Sequence, residues 1–311
     1  MNLISIFLGF LLLVIGGEFI VRASIAISLK FNISKFIIGM TVVAFATSIP
    51  ELIVSVNASI NNSPSIAINN VIGSNIANIG FVLAFISVLS NIQVENKFYK
   101  RDWPLMFLLT VILYFFISTD YILDRFEGIL LIVVLTVFIY NILKKSNSEV
   151  VYNNIDDKLS LVSNFKIFIW LVISSFALYF GAEFLVDGAV HFAKQMNISE
   201  AVISVSIIAI GTSIPELATS LLAISKKEKG ISVGNLIGSN IFNIGSVLGI
   251  TAVIKNIPIA EEIVQRDILW MLIFAALIFL LFLLPKKDKL SKYKGLIMLL
   301  GYFFFIFQLF S

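Results

Sequence analysis

The chain has 311 residues, 59% of them hydrophobic, 13% charged and none of them cysteine. Ordinary soluble domains carry about a quarter charged residues, so a water-facing fold is excluded. Without cysteine, a disulfide framework and a thiolate metal site are excluded too. The net charge of +3 says little as a sum, and more through where the basic residues fall.

Apolar runs of about 20 residues read as membrane-spanning helices. Ten follow in chain order, at about 3–29, 35–60, 66–90, 103–119, 126–143, 164–192, 199–225, 231–254, 267–285 and 294–310. The first lacks a basic leader and runs past Gly16 and Gly17 without an A-x-A site, so it reads as a span and not a signal peptide. The longest polar stretch, 144–163, reads as a linker between a first half at 1–143 and a second at 164–311. With ten spans, seventeen of the 22 Lys and Arg residues fall in or beside the loops on one side, and four on the other. By the positive-inside bias, the linker is cytoplasmic, both termini are outside, and the expected location is the plasma membrane.

The halves repeat at one constant offset of 165 residues. Glu18 matches Glu183, "TSIPEL" at 47–52 matches 212–217, and "VIGSNIANIG" at 71–80 matches "LIGSNIFNIG" at 236–245. Arg101-Asp102 matches Arg266-Asp267, with no gap over more than 80 positions. Each half holds five spans, an odd number, so the second enters the membrane inverted. The predicted fold is all-α, ten transmembrane helices as two inverted five-helix repeats, an architecture of secondary transporters with the site near the midplane.

The repeated polar residues carry the chemistry. Pro50 lacks an N–H and its ring clashes with the carbonyl four residues back. A break is therefore expected near Ala46 and Thr47, and one near Gly211 and Thr212 from Pro215. Glu51 and Glu216 fall mid-span, where an ionised acid costs roughly 2.5–3.5 kcal/mol on insertion scales. Thr47, Ser48 and Glu51 share a helix face, as do Thr212, Ser213 and Glu216. Asn70, Ser74 and Asn78 recur every fourth residue, as do Asn235, Ser239 and Asn243. Such a stripe alone is often interhelical glue; opposite two acidic helices it reads as the other wall of a site. Carboxylates, hydroxyls, amides and freed carbonyls are hard oxygen ligands, suited to Ca²⁺ or Na⁺ and not to transition metals. The single histidine, His191, lies near the end of span 6 and reads as a surface or packing residue.

"TSIPEL" followed by "GSNIxNIG", once in each five-helix half, resembles the sodium/calcium exchanger family of the cation/calcium exchanger superfamily, over nearly the whole chain. The resemblance implies that spans 2, 3, 7 and 8 surround the ions while spans 1 and 6 form a long pair that slides past them. It places ion ligands on Ala44, Thr47, Ser48, Glu51, Ser74 and Asn78, and on Ala209, Thr212, Ser213, Glu216, Ser239 and Asn243. The chain departs from the family at Asn243, where an aspartate is frequent, and at Ala46, where a glycine is. The expected activity is Na⁺/Ca²⁺ antiport by alternating access, with no enzyme chemistry and no cofactor. The expected partners are the two ions and the lipid bilayer, with neither nucleic acid nor an obligate protein partner. A proton/calcium exchanger of the same superfamily and a cation channel are the alternatives, and the driving gradient separates them.

Overall fold

The computed structural model describes residues 2–94, 97–144, 157–196, 211–284 and 289–309. The helices are α1 (Asn2–Phe31), α2 (Lys35–Ile60), α3 (Ser65–Leu89), α4 (Phe98–Asp120), α5 (Arg125–Lys144), α6 (Asn164–Gln195), α7 (Ile214–Ser225), α8 (Lys229–Ile254), α9 (Ile263–Leu283) and α10 (Lys292–Gln308). Among the described residues, eight are long and apolar enough to cross a membrane. The other two are α7, the described part of the seventh predicted span, and α10, whose 17 residues make it the shorter full span. The ten-helix reading therefore stands, and the chain is an all-α membrane protein. The part of the seventh span at 199–210 lies outside the described residues, as does most of the linker. The "NIS" at 197–199, repeat mate of the "NIS" at 32–34, does too.

The chain divides into two compact units that cut across the sequence halves: Met1–Ile49 with Asn141–Asn235, and Pro50–Tyr140 with Leu236–Ser311. In the first unit α1 and α6 lie antiparallel along their length. Glycines let the backbones meet. A Cβ at Gly9 would stand 2.6 Å from the Leu185 nitrogen, and one at Gly16 would stand 3.1 Å from the Ser174 carbonyl oxygen. Further along, Ala23 and Ala26 pack on Ile167 and Trp170. Such close approach by small residues is the usual source of helix association where lipid offers no hydrophobic drive. Because α1 and α6 are repeat mates, their antiparallel packing is the inversion seen directly. Leu13, Ile20, Val21, Val43, Ala46, Leu178, Ala182, Ala223 and Ile231 form this unit's core. The expectation that α1 and α6 pair is met. The pairing of Arg22 is local, with Glu18 one turn before it, and Glu18 also takes Lys226 at 2.9 Å.

In the second unit, helices pair between halves. Helix α10 runs antiparallel to α3: a Cβ at Gly295 would meet Ser87 and Ala84, and one at Gly80 would meet Tyr302. Its mate α5 packs on α8 in the same way, through Gly128 against Gly249 and Ala252, and Leu135 against Gly245. Helices α4 and α9 pair through Trp103, whose Nε1 donates to the Ala275 carbonyl at 2.6 Å and whose ring stacks on Phe279. The all-α expectation leaves out four two-residue strands that, among the described residues, tie the loops. The first, β1 (Ile92–Gln93), pairs antiparallel with β4 (Lys289–Leu290), and β2 (Ile122–Leu123) with β3 (Ile257–Pro258). They are too short to announce themselves as alternating patterns.

Candidate functional site

The breaks fall where proline leaves no donor, one residue later than expected. The helical ladder runs through Thr47, with the Ser48 N–H on the Ala44 carbonyl at 3.0 Å, and turns at Ser48 (φ −87°, ψ 1°). The second break is its mate, Ser213 (φ −89°, ψ 5°). Pro50 and Pro215 each sit second in the helix that resumes, where a missing N–H costs least. This is why the turn comes two residues before the proline and not four. Wide π turns add to the irregularity at Gly39–Val43 in α2, Asn78–Leu83 in α3 and Asn243–Leu248 in α8. Such bulges in membrane helices are frequent at functional positions.

Within the first unit, Thr47 Oγ1 lies 3.3 Å from the Ala44 carbonyl, to which it donates, and 3.1 Å from Asn235 Oδ1. Asn235 Nδ2 in turn donates to Ser220 Oγ at 3.3 Å. Ala44 and Glu216 are fully buried, as is Ser213, and Thr212 is half-buried. The hydroxyls of Ser48 and Ser213 are buried with no hydrogen-bond partner among the described residues. Ala209 lies outside the described residues.

Within the second unit, Glu51 is fully buried, and Asn70 Nδ2 is shared between its backbone oxygen at 3.4 Å and Ser55 Oγ at 3.2 Å. The Asn70–Ser55 and Asn235–Ser220 bonds are one bond written twice at the repeat offset. Ser74, Asn78, Ser239 and Asn243 are all buried. Asn243 Nδ2 donates to Asn75 Oδ1 at 3.0 Å, and Asn75 Nδ2 donates to the Asn240 carbonyl at 3.2 Å. Asn243 Oδ1 and both polar atoms of Asn78 have no hydrogen-bond partner among the described residues.

Every candidate ion ligand that the structure describes is therefore buried or half-buried, although most of them are polar. Burying an uncompensated polar group costs roughly 1–3 kcal/mol, and an ion more. Such groups are retained where a charged ligand repays them, and these two sets offer oxygen, not nitrogen or sulfur. Among the described residues no three His, Asp or Glu side chains gather as a resident metal cluster. His191 is exposed, as a surface residue. Sequence reasoning missed Ser55, Ser220 and Asn75, and the main-chain carbonyl of Asn240 that Asn75 reaches. The serines were legible as residues one turn beyond each glutamate. Asn75 and Asn240 sit beside the four-residue stripe, and only the crossing of α3 and α8 reveals them.

Comparison with known proteins gives matches over the full length. The family model described as "Sodium/calcium exchanger protein" matches residues 1–144 and 166–310. An uncharacterised membrane protein of Methanocaldococcus jannaschii is 35% identical over 95% of this chain and 93% of its own. The sodium/calcium exchanger MaX1 of Methanosarcina acetivorans is 28% identical over 99% of this chain and 98% of its own. Among solved structures, the sodium-calcium exchanger NCX_Mj soaked with zero Na⁺ and Ca²⁺ is similar at a TM-score of 0.82 and 31% identity. That match covers 99% of this chain and 98% of the other.

Proposed function

The chain belongs to the sodium/calcium exchanger protein family, and from that premise we propose that it is a secondary antiporter that exchanges Na⁺ for Ca²⁺ by alternating access. One observation carries the reading: Glu51 and Glu216, mates in an internal repeat, are both fully buried in an otherwise apolar protein, beside buried hydroxyls and amides. The names of MaX1 and NCX_Mj support the choice of ions.

In this reading Ca²⁺ and Na⁺ compete for oxygens of Glu51 and Glu216. The hydroxyls of Thr47, Ser48, Thr212, Ser213, Ser74 and Ser239, the amides of Asn78 and Asn243, and the carbonyls of Ala44 and Ala209 complete the shells. Ca²⁺ takes about 6–8 oxygens in a flexible cage, and two carboxylates already match its charge. Empty and ionised, two buried acids make an occluded state costly; loaded, they do not. The protein therefore changes sides when loaded, and that links the two fluxes. The breaks at Ser48 and Ser213 supply bent backbone and hydroxyls that have no hydrogen-bond partner among the described residues. The repeats at 1–143 and 164–311 give the two access states by their inversion, with the 144–163 linker cytoplasmic and both termini outside. This is transport and not catalysis, and the mechanism uses no cofactor.

The test is Ca²⁺ uptake into proteoliposomes of the purified protein under an imposed Na⁺ gradient, then under a pH gradient. Na⁺-driven uptake supports the proposal. Uptake driven only by pH identifies a proton/calcium exchanger, and uncoupled flux identifies a channel.

A further inference from the structure

Position 243 carries an amide, and an amide offers a cation either a good ligand or a bad one. Its oxygen attracts and its NH₂ repels, so which end faces the ion decides whether the residue helps at all. We propose that Asn75 is a positioning residue that turns the Asn243 side chain so that its carbonyl oxygen is offered to the transported cation. The proposal rests on the exchange reading above and specifies how one of its ligands is made.

The argument follows from the sense of each hydrogen bond. A backbone carbonyl only accepts. The side-chain group that Asn75 places 3.2 Å from the Asn240 carbonyl must therefore be its NH₂. That fixes which way round the Asn75 amide stands, and its Oδ1 is left to face Asn243. An oxygen facing Asn243 at 3.0 Å calls for a donor, so Asn243 presents its NH₂ to Asn75. The Asn243 oxygen is then the end left over. It is fully buried and has no hydrogen-bond partner among the described residues. One main-chain carbonyl thus sets the orientation of a side chain two hydrogen bonds away. Pre-setting a ligand in its binding orientation removes an ordering cost that binding otherwise meets.

The repeat provides an internal control. By symmetry Asn240 should orient Asn78, but Asn240 Nδ2 instead donates to the Leu236 carbonyl of its own helix at 2.7 Å. Both polar atoms of Asn78 are left without a hydrogen-bond partner among the described residues. Among the described residues the relay exists on one side only, and no hydrogen bond sets the orientation of Asn78 as one sets that of Asn243.

The experiment is equilibrium binding of ⁴⁵Ca²⁺ to purified wild type, Asn75→Leu, Asn75→Asp and Asn240→Ala, with thermal stability measured on the same samples. Asn75→Leu keeps the side-chain shape and removes the relay, and is expected to weaken Ca²⁺ binding roughly five- to tenfold, the scale of one lost hydrogen-bonded orientation. Asn75→Asp keeps an oxygen facing Asn243 in either protonation state, and is expected to bind Ca²⁺ at least as well as wild type. Asn240→Ala removes a buried amide of the same kind without touching the relay, and is expected to leave affinity unchanged. Should Asn75→Leu not survive purification, Asn75→Ala carries the same expectation. Equal affinity in wild type and the Asn75→Leu or Asn75→Ala protein overturns the proposal, as does an equal loss in Asn240→Ala. Wild-type protein that binds Ca²⁺ but does not exchange it for Na⁺ overturns the exchange reading and leaves the affinity ratios to decide this one. Wild-type protein that binds no Ca²⁺ overturns both.

Discussion

The two halves of the sequence hold the same polar residues at the same places, and the structure treats some mates alike and others not. Asn70 and Asn235 make the same bond, to Ser55 and Ser220, one turn beyond each glutamate. Asn75 and Asn240 do not: one reaches across to the other helix and the other bonds within its own. The turns that close α2 and α7 also match in shape but not in residue. Asn62 (φ 62°) and Lys227 (φ 64°) both take the left-handed region, and in each the following N–H reaches back to the last turn, Ser63 to Ala58 and Glu228 to Ala223. Duplication therefore preserved backbone and glutamate surroundings while letting single side chains diverge. Where mates still match, both copies are under the same demand; where they differ, one copy has been released or given new work.

The largest effect is expected where the halves match best. Glu51→Gln and Glu216→Gln should each abolish Na⁺-driven Ca²⁺ uptake in proteoliposomes while the protein still elutes as a folded, membrane-extracted species. Wild-type flux in either variant would remove that glutamate from the ion path. Next come the mirrored amides. Asn70→Ala and Asn235→Ala should each lower Ca²⁺ affinity by a similar factor, roughly three- to tenfold, since each loses its bond to the serine one turn beyond a glutamate. Factors that differ by more than tenfold would show that the match in geometry is not a match in role.

A smaller, conditional effect is expected at the mates that differ. An acid placed at 243 by Asn243→Asp can, when protonated, donate to Asn75 as the amide does, so transport at neutral pH should persist. Burial favours the protonated form, and ionisation should then add a pH dependence on the alkaline side. Ca²⁺ uptake compared between pH 6 and 9 in wild type and variant reads this directly. Superimposed profiles would place residue 243 away from the ions. The smallest effect belongs to the turns. Lys227→Asn should raise stability by about 0.5–1 kcal/mol, because asparagine tolerates positive φ better than lysine, while Asn62→Lys should lower it by a similar amount. Thermal unfolding in detergent measures both, and no change in either would mean that the backbone strain is relieved elsewhere.

Much of the fold was legible because it is local. A span is a sum over about 20 neighbouring residues, and the predicted bounds of 35–60 for α2 and 164–192 for α6 lie within a few residues of Lys35–Ile60 and Asn164–Gln195. The proline breaks were also local, and missed by one residue because the proline was credited with disturbing the turn behind it more than the turn it begins. Apart from α1 with α6, which the family resemblance implied, the pairing of helices was not legible. That α10 covers α3 depends on Gly295 and Gly80 presenting bare backbone to side chains more than 200 residues away in sequence. Nothing within either segment states the partner. The polar residues near the glutamates were found as a stripe of fourth residues. Asn75 lay one place off that stripe, and its importance arises only where a second helix crosses it.

The exchange of fifth helices between halves bears on how the chain is made. Helix α3 leaves the ribosome early, but the helix that lies along it, α10, is the final one described, and α8 cannot receive α5 until well over 80 residues after α5 has emerged. The first five helices therefore wait in the bilayer with Gly80 and Gly128 facing lipid or temporary neighbours, and neither α3 nor α5 meets its partner when the first half is translated alone. A break in synthesis before Lys292 leaves α3 uncovered along the face that α10 fills, so such truncated chains should be recognised and degraded by membrane quality control. Of the described helices, the one made latest is the one that covers α3 of the first half.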